Sequence, residues 1–228
     1  IYWRNKSEAE LASYQQFQQG NSCAQNSIAA IFNLFFQINI NGNLLSKLVD
    51  QTPFFDRLRY RLWSNGPTTL LNQLHLLTDI ARHLHLRLSV GLEKGNLELL
   101  PERMMDPYAL SLITLGWLPR QAPVIIRGNQ AVNLNAHKNL GFHTMLAVAY
   151  DPSHLDNKGQ SRPWGFINSW SNGGTELFWM TTEDLDHSWR FFTPFGGTYP
   201  MVSVKTTPAR ISTYNSFYPS QMSAGMIN

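Results

Sequence analysis

The chain has 228 residues and a mass of 26.0 kDa, a length that suits one large domain or two small lobes. Its net charge is only +3 and its basic residues form no run of five, which argues against a nucleic-acid partner. No apolar stretch approaches the roughly 18 residues that a membrane span needs, and the single cysteine, Cys23, excludes an intrachain disulfide and any cysteine-based zinc or iron–sulfur site.

Amide side chains supply much of the polarity of the chain. Charged residues make up 14%, against roughly 25% in an average soluble protein. The 19 Asn and 12 Gln together nearly match the 33 Lys, Arg, Asp and Glu residues. The 13 Phe, 8 Tyr and 7 Trp residues predict a substantial core rather than disorder.

The first predicted element is a helix over residues 23–37. Its side chains are apolar nearly all round, which is typical of a helix buried in a core. Ser22 is the predicted N-cap, and Gln25 stands three positions later, as in a capping box.

A second, amphipathic helix is predicted over residues 70–84. It begins at Thr68 or Thr69, directly after the Gly66-Pro67 pair. A strand is expected to follow over residues 86–92.

The second half of the chain is predicted to be β structure. Gly, Pro and Asn clusters separate its apolar runs, as expected for an antiparallel sheet or small barrel. The predicted strands cover residues 123–128, 143–151, 163–170, 175–181 and 198–205.

The predicted fold class is therefore α+β. A helical lobe (about residues 20–115) is followed by a β lobe (about 116–206 plus the N-terminal segment), with a cleft expected between them. The tail over residues 207–228 is rich in Ser, Thr and Pro and is expected on the surface.

The chain begins at Ile1, without an initiator Met or a basic-then-apolar leader. We expect a processed or trimmed chain, secreted or extracytoplasmic, with a cytoplasmic location as the alternative. The sequence does not indicate an oligomeric state.

Cys23 has two interpretations. A lone cysteine in an apolar helix is commonly an inert, buried, small hydrophobic residue. Its predicted place at the first turn of a helix favours a nucleophile, because unpaired N–H groups and the helix dipole there stabilise a thiolate. A nucleophile also needs a base, a group that orients the base, and donors for the oxyanion.

His143 is the candidate base among seven histidines. It opens the apolar strand over residues 144–150, where its ring can be held rigidly toward a cleft, and His137 is the competing candidate. His75, His83 and His85 lie in or beside the amphipathic helix and are expected on the surface or half-buried, and His154 and His187 are in polar, loop-like segments. A metal pair of His83 and His85 lacks a third ligand, so no metal site is predicted.

Asn168 is the candidate orienting group. It ends the next predicted strand, and by itself an Asn before Ser at a strand end is an ordinary turn residue. Beside a catalytic histidine, its side-chain oxygen would accept the ring N–H and fix the tautomer, and Trp170 would shield that hydrogen bond from water.

Together these segments resemble the papain-like cysteine peptidases. Three segments carry the resemblance in the family's chain order: Gln19-Gly-Asn-Ser-Cys23, Gly141-Phe-His143 and Ile167-Asn-Ser-Trp170. Asn168 lies 145 residues after Cys23, within the roughly 130–150 window of the papain signature, whereas His143 falls slightly short of it.

A fourth segment, Trp63-Ser-Asn65-Gly66-Pro67, resembles the family's stretch that pairs by backbone with the substrate. Ser64 stands where the family has a disulfide cysteine. Because the family's disulfide positions are empty, we expect the aromatic core alone to hold the lobes together.

The resemblance implies a two-lobed papain-like fold that hydrolyses peptide bonds without a cofactor. It implies a Cys23 thiolate paired with protonated His143, and an oxyanion held by the Cys23 backbone N–H and a glutamine side chain. The implied partner is a peptide or protein substrate, and the implied substrate-binding residues are Asn65, Gly66, Pro67 and Trp170.

The chain departs from the family at the oxyanion glutamine. Phe17 occupies the usual place six residues before the nucleophile, so Gln18 and Gln19 both remain candidates, and the Gly20 that follows favours Gln19. The Ser22-Cys23 start and the turn after Gly66 also resemble the leader-peptide peptidases of bacteriocin exporters. Those enzymes use Asp as the third residue, so Asn168 favours the papain side, and the lack of disulfides favours a divergent bacterial member.

Two other functions stay open at this point. The same triad can catalyse acyl transfer, as in deamidases, transglutaminases and peptide ligases. A non-catalytic descendant could use the cleft only to bind a peptide, although such a module has no need of Cys, His and Asn together.

Overall fold

The computed structural model describes residues 1–128, 130–132, 140–170, 174–190 and 199–207. Within these ranges the protein combines α-helices with one eight-stranded antiparallel sheet, which confirms the predicted α+β class. His137 and the tail from residue 208 lie outside the described residues. A short 3-10 helix (Trp3–Asn5) precedes the helices α1 (Glu8–Ala12), α2 (Cys23–Phe36), α3 (Gly42–Gln51), α4 (Phe54–Arg57), α5 (Leu70–His83), α6 (Leu100–Met105) and α7 (Thr182–Trp189). The strands are β1 (Leu88–Lys94), β2 (Ala109–Trp117), β3 (Ile126–Arg127), β4 (Gln130–Ala131), β5 (Gly141–Tyr150), β6 (Trp164–Ile167), β7 (Phe178–Met180) and β8 (Pro200–Thr206).

The sheet has the strand order β1-β8-β2-β5-β6-β7-β3-β4. Strands β1 and β2 come from the part of the chain that was predicted as the helical lobe. Strand β5 lies near the middle, and residues 143–149 of it are all buried. A strand that is covered on both faces reads as a continuous apolar run, which is the pattern of this segment.

Helices cover both faces of the sheet. Successive side chains of a strand point to opposite faces, and here they divide between two hydrophobic clusters. Leu112, Leu146 and Val202 pack with α2 and α5, whereas their neighbours Ile113 and Met145 pack with α6 and α7. Strand β5 therefore contacts the helix that carries Cys23 through one face.

The two predicted helices are confirmed as α2 and α5. Of their predicted N-caps, only the one at the start of α5 is confirmed. Thr69 caps α5 and forms a capping box with Asn72. Ser22 occupies the N-cap position of α2 without capping it, because its hydroxyl donates to the carbonyl oxygen of Gln19 at 2.9 Å. The capping box with Gln25 is wrong, since the Gln25 side chain instead bonds to Thr68 at 3.0 Å.

The predicted strands of the second half are present but mostly shorter. Strands β5 to β8 fall on four of the predicted runs, and only two residues of 123–128 form a strand, β3. Strand β2 and helices α3 and α7 were not predicted. Among the described residues no helix combines the length and apolar character needed to cross a membrane.

Candidate active site

Cys23 is the first residue of α2 and retains partial exposure to solvent. The backbone N–H groups of Thr144, Ala24 and Cys23 itself lie near its sulfur. The thiol therefore lies beside strand β5, against the residue that follows His143. These N–H groups lower the pKa of the thiol, but burial is the larger effect and raises it above its ordinary value.

His143, Asn168 and Trp170 form one contiguous group at the ends of β5 and β6. Nε2 of His143 lies 2.7 Å from Oδ1 of Asn168, and both residues are buried. The backbone N–H of Ser169 donates to the same oxygen at 2.6 Å, which fixes Oδ1 as an acceptor. The ring of Trp170 stacks on the imidazole at 4.0 Å between centroids.

The hydrogen bond to Asn168 defines the tautomer of His143. Because Oδ1 can only accept, Nε2 carries the hydrogen and Nδ1 is left with its lone pair. Burial lowers the pKa of His143 to about 4, and the bond to Asn168 offsets this only in part. At neutral pH the group is thus a neutral imidazole whose basic nitrogen is free to accept a proton.

The two candidate oxyanion glutamines have different surroundings. The backbone N–H of Gln18 donates to the carbonyl oxygen of Ser169 at 2.7 Å, and its Oε1 accepts from the Ser169 hydroxyl at 2.7 Å. Its Nε2 donates to the carbonyl oxygen of Gly20 at 3.0 Å, which uses one of two hydrogens. Gln19 is exposed and is bonded through its backbone N–H to Asn43. The structure therefore brings Gln18, rather than Gln19, into contact with the residue after Asn168.

A single amide, Asn43, holds the segment that leads into Cys23. Its Oδ1 accepts from the Gln19 backbone and the Asn26 side chain at 2.9 and 3.1 Å, and it lies 3.0 Å from the Ser22 hydroxyl oxygen. Its Nδ2 donates to the carbonyl oxygen of Phe17 at 2.7 Å. Asn43 thus takes the place of local capping at the start of α2.

The predicted substrate-binding segment adjoins the same loop. Asn65 accepts two hydrogen bonds from Asn21, at 2.9 Å to its Oδ1 and 2.8 Å to its carbonyl oxygen. Gly66 is buried against the indole of Trp63, and its N–H already donates to the carbonyl oxygen of that residue at 2.8 Å. Asn65 and Pro67 are exposed to solvent at this turn, whereas the Gly66 N–H is already hydrogen-bonded within it.

Arg61 was not singled out in the sequence, yet it is completely buried beside α2. It donates to both carboxylate oxygens of Asp50, at 3.1 and 3.0 Å, and to Oε1 of Gln25 at 3.1 Å. Arg57, Arg59 and Arg61 alternate in the sequence, and such a pattern gives no sign of which one is buried.

Hydrogen bonds join the helical layer to the sheet, in addition to the apolar packing. The hydroxyl of Ser27 donates to the carbonyl oxygen of Thr144 at 3.1 Å, and Nε2 of Gln73 donates to the Thr144 hydroxyl at 3.2 Å. The expectation that the aromatic core alone connects the two parts was therefore incomplete.

The other described histidines lie away from this group. His83, His85 and His187 are exposed, and His75 is half-buried. His154 stacks on Trp179 at 3.9 Å between centroids. Within the described ranges, no three His, Cys, Asp or Glu side chains cluster in a way that could hold a metal ion.

Comparison with known proteins provides no assignment: no protein-family model matches the chain, and no curated protein resembles it significantly in sequence.

Proposed function

We propose that the protein is a cysteine peptidase with Cys23 as nucleophile, His143 as base and Asn168 as orienting group. The observation that carries the proposal is the buried 2.7 Å contact between His143 Nε2 and Asn168 Oδ1. It leaves Nδ1 of His143 as the proton acceptor, and the next residue, Thr144, has its backbone N–H near the Cys23 sulfur. A buried cysteine that served only as packing would not need this arrangement.

The resting pair in this mechanism is a neutral thiol and a neutral imidazole. Burial raises the pKa of Cys23 and lowers that of His143 to about 4, so both groups favour their uncharged forms. This differs from the thiolate–imidazolium pair that the family resemblance implies. His143 would take the thiol proton as the sulfur attacks the scissile carbonyl, and would then pass it to the leaving amine.

Two donors are available for the oxyanion of the tetrahedral intermediate. The Cys23 backbone N–H is at the first turn of α2, where N–H groups lack helical partners, and the second hydrogen of Gln18 Nε2 is the side-chain donor. We assign this role to Gln18 because Ser169 fixes its position from two sides. Each such donor contributes roughly 3 kcal/mol to lowering the barrier.

We also propose a papain-like arrangement of the chain. Helices α2, α3 and α5 would correspond to the helical lobe and the sheet to the β lobe, with Cys23 and His143 facing each other between them. The packing of α2 against β5 and the position of Asn168 after β6 support this correspondence.

The test is incubation of the purified chain with a denatured protein and with a proteome-derived peptide mixture, followed by mass spectrometry of new termini. We expect cleavage by the wild type and none by Cys23→Ala. A peptide epoxide that reacts with thiols should label Cys23. Cleavage that persists in Cys23→Ala, or wild-type protein whose Cys23 is never labelled, would refute the mechanism.

Products formed with an added primary amine separate hydrolysis from acyl transfer. Free carboxylates at the new termini, in unchanged yield when the amine is present, are expected for a peptidase. Amide products in place of carboxylates would instead assign the triad to a transferase.

A further inference from the structure

Arg61 contacts the chain on both sides of Cys23. Its Nη2 donates to the carbonyl oxygen of Asn21 and to Oε1 of Gln25, which stand two residues before and two residues after the nucleophile. Its Nη1 is held in turn by both oxygens of Asp50 in α3. The rigid fork of a guanidinium lets one side chain make all these bonds at fixed relative positions.

Stability alone does not account for this buried charge. Burying an ion pair removes the hydration of both charges, and their mutual attraction often fails to offset this cost. Replacing such a pair by apolar residues is therefore often neutral or stabilising. Arg61 is 0% exposed, and its Nε has no hydrogen-bond partner among the described residues. The segment from Leu11 to Ser46 contains no Asp, Glu, Lys or Arg, so Arg61 brings to the nucleophile a charge that its own segment lacks.

We propose that Arg61 is a positioning residue for Cys23, which clamps the backbone on both sides of the nucleophile and holds a fixed positive charge at the helix end that carries it. This inference deepens the proposed function and rests on it for its catalytic meaning. The charge of Arg61 acts to lower the pKa of the Cys23 thiol, against the effect of burial. Asp50 from α3 is the charged partner of Arg61, and His143 precedes Thr144 on β5.

The experiment measures alkylation of Cys23 by iodoacetamide between pH 6 and 11, followed by intact mass. Alkylation needs an accessible thiolate but no substrate, so it reports on Arg61 whether or not the protein is a peptidase. Arg61→Met should slow the reaction at pH 7 about tenfold and raise its titration midpoint by about one pH unit. Arg61→Lys keeps the charge without the fork of donors and should fall between this variant and the wild type.

Two further variants separate the electrostatic role from a structural one. Arg59→Met removes an exposed arginine that pairs with Asp79, and it should leave alkylation unchanged. Asp50→Asn removes the counter-charge of Arg61 but keeps an acceptor, so it should speed alkylation at pH 7 and lower the midpoint. A purely structural defect would expose the thiol and speed the reaction in both variants, whereas the electrostatic role predicts opposite shifts of the midpoint for Arg61→Met and Asp50→Asn.

The inference is overturned if the midpoints of Arg61→Met and Asp50→Asn both equal that of the wild type. If Arg61→Met does not fold, Asp50→Asn decides: a lowered midpoint with an unchanged limiting rate at high pH supports the role, and any other result refutes it. If the alkylation midpoints shift as expected but the wild type cleaves no peptide, the role of Arg61 is supported and the proposed function is refuted. If the wild type cleaves peptides but the midpoints do not shift, the proposed function is supported and the role of Arg61 is refuted.

Discussion

Acid should destabilise this protein through His143. The imidazole is 2% exposed, and its pKa is lowered by burial to about 4 from the ordinary value of 6.5. Between these two values the unfolded chain takes up a proton that the folded chain does not bind. Stability is therefore highest above pH 6.5 and falls as the pH drops toward 4.

The size of this effect follows from the two pKa values. Proton uptake by the unfolded state alone removes about 2 kcal/mol at pH 5 and about 3 kcal/mol at pH 4, relative to pH 7. The assay is urea unfolding of the wild type and His143→Gln at pH 7, 6, 5 and 4 and constant ionic strength. Glutamine does not titrate, and its amide can donate to Asn168 in place of the ring.

Other acidic groups titrate equally in both proteins, so the difference between the two pH profiles isolates His143. We expect the wild type to lose about 3 kcal/mol more than His143→Gln between pH 7 and pH 4. Parallel profiles would show that His143 titrates near its ordinary pKa in the folded protein, and would contradict the neutral resting pair.

Three substitutions test the surroundings of the candidate triad. Asn168→Ala leaves two buried N–H donors without an acceptor and should cost about 2 kcal/mol or more in urea unfolding; peptide cleavage should fall at least about tenfold, as the tautomer of His143 is no longer fixed. Trp170→Ala admits water to the imidazole and should raise the pKa of His143 toward 6.5 in an NMR titration. Asn43→Ala removes a shared acceptor and should cost about 2 kcal/mol, whereas exposed Asn39→Ala should change stability by less than about 0.5 kcal/mol.

For each of these predictions, one result would contradict it. Full cleavage by Asn168→Ala would mean that the His143 tautomer does not depend on this contact. An unchanged His143 titration in Trp170→Ala would show that the indole does not keep water away. Equal stability of the Asn43 and Asn39 variants would remove Asn43 from the support of the nucleophile segment.

Local patterns in the sequence predicted the elements that are closest to the site. The all-round apolar run predicted α2, and the Thr68-Thr69 pair after Gly66-Pro67 predicted the start of α5, where Thr69 is the cap. Strand β2 was missed because both its faces are covered, so its side chains show no alternation. Short apolar runs of this kind do not distinguish a strand from a helix.

The sequence also predicted the members of the candidate site better than it predicted the residues that hold them in place. His143 and Asn168 were singled out from their places at strand ends, and the structure brings them into contact. The failed capping box shows the limit of such reasoning. Gln25 has the spacing of a cap, but Thr68 and Arg61 are distant in sequence and compete for its side chain.

The amide excess has a physical explanation in the same supports. An amide carries a donor and an acceptor, so one side chain can satisfy two backbone groups at once. Asn33 accepts from the Ile40 N–H at 2.8 Å and donates to the Ile40 carbonyl oxygen at 3.2 Å. Gln16 likewise bonds the backbone of Ile40 and Gly42.

Charged side chains could not replace these amides without changing the site. A buried carboxylate or ammonium would pay a large desolvation penalty or become neutral, and its field would act on the Cys23 thiol. Neutral Asn43 and Gln18 fix the nucleophile segment without contributing such a field. The low charge content of the segment therefore leaves Arg61 as the charged side chain that acts on Cys23, together with burial and the N–H groups of Thr144 and Ala24.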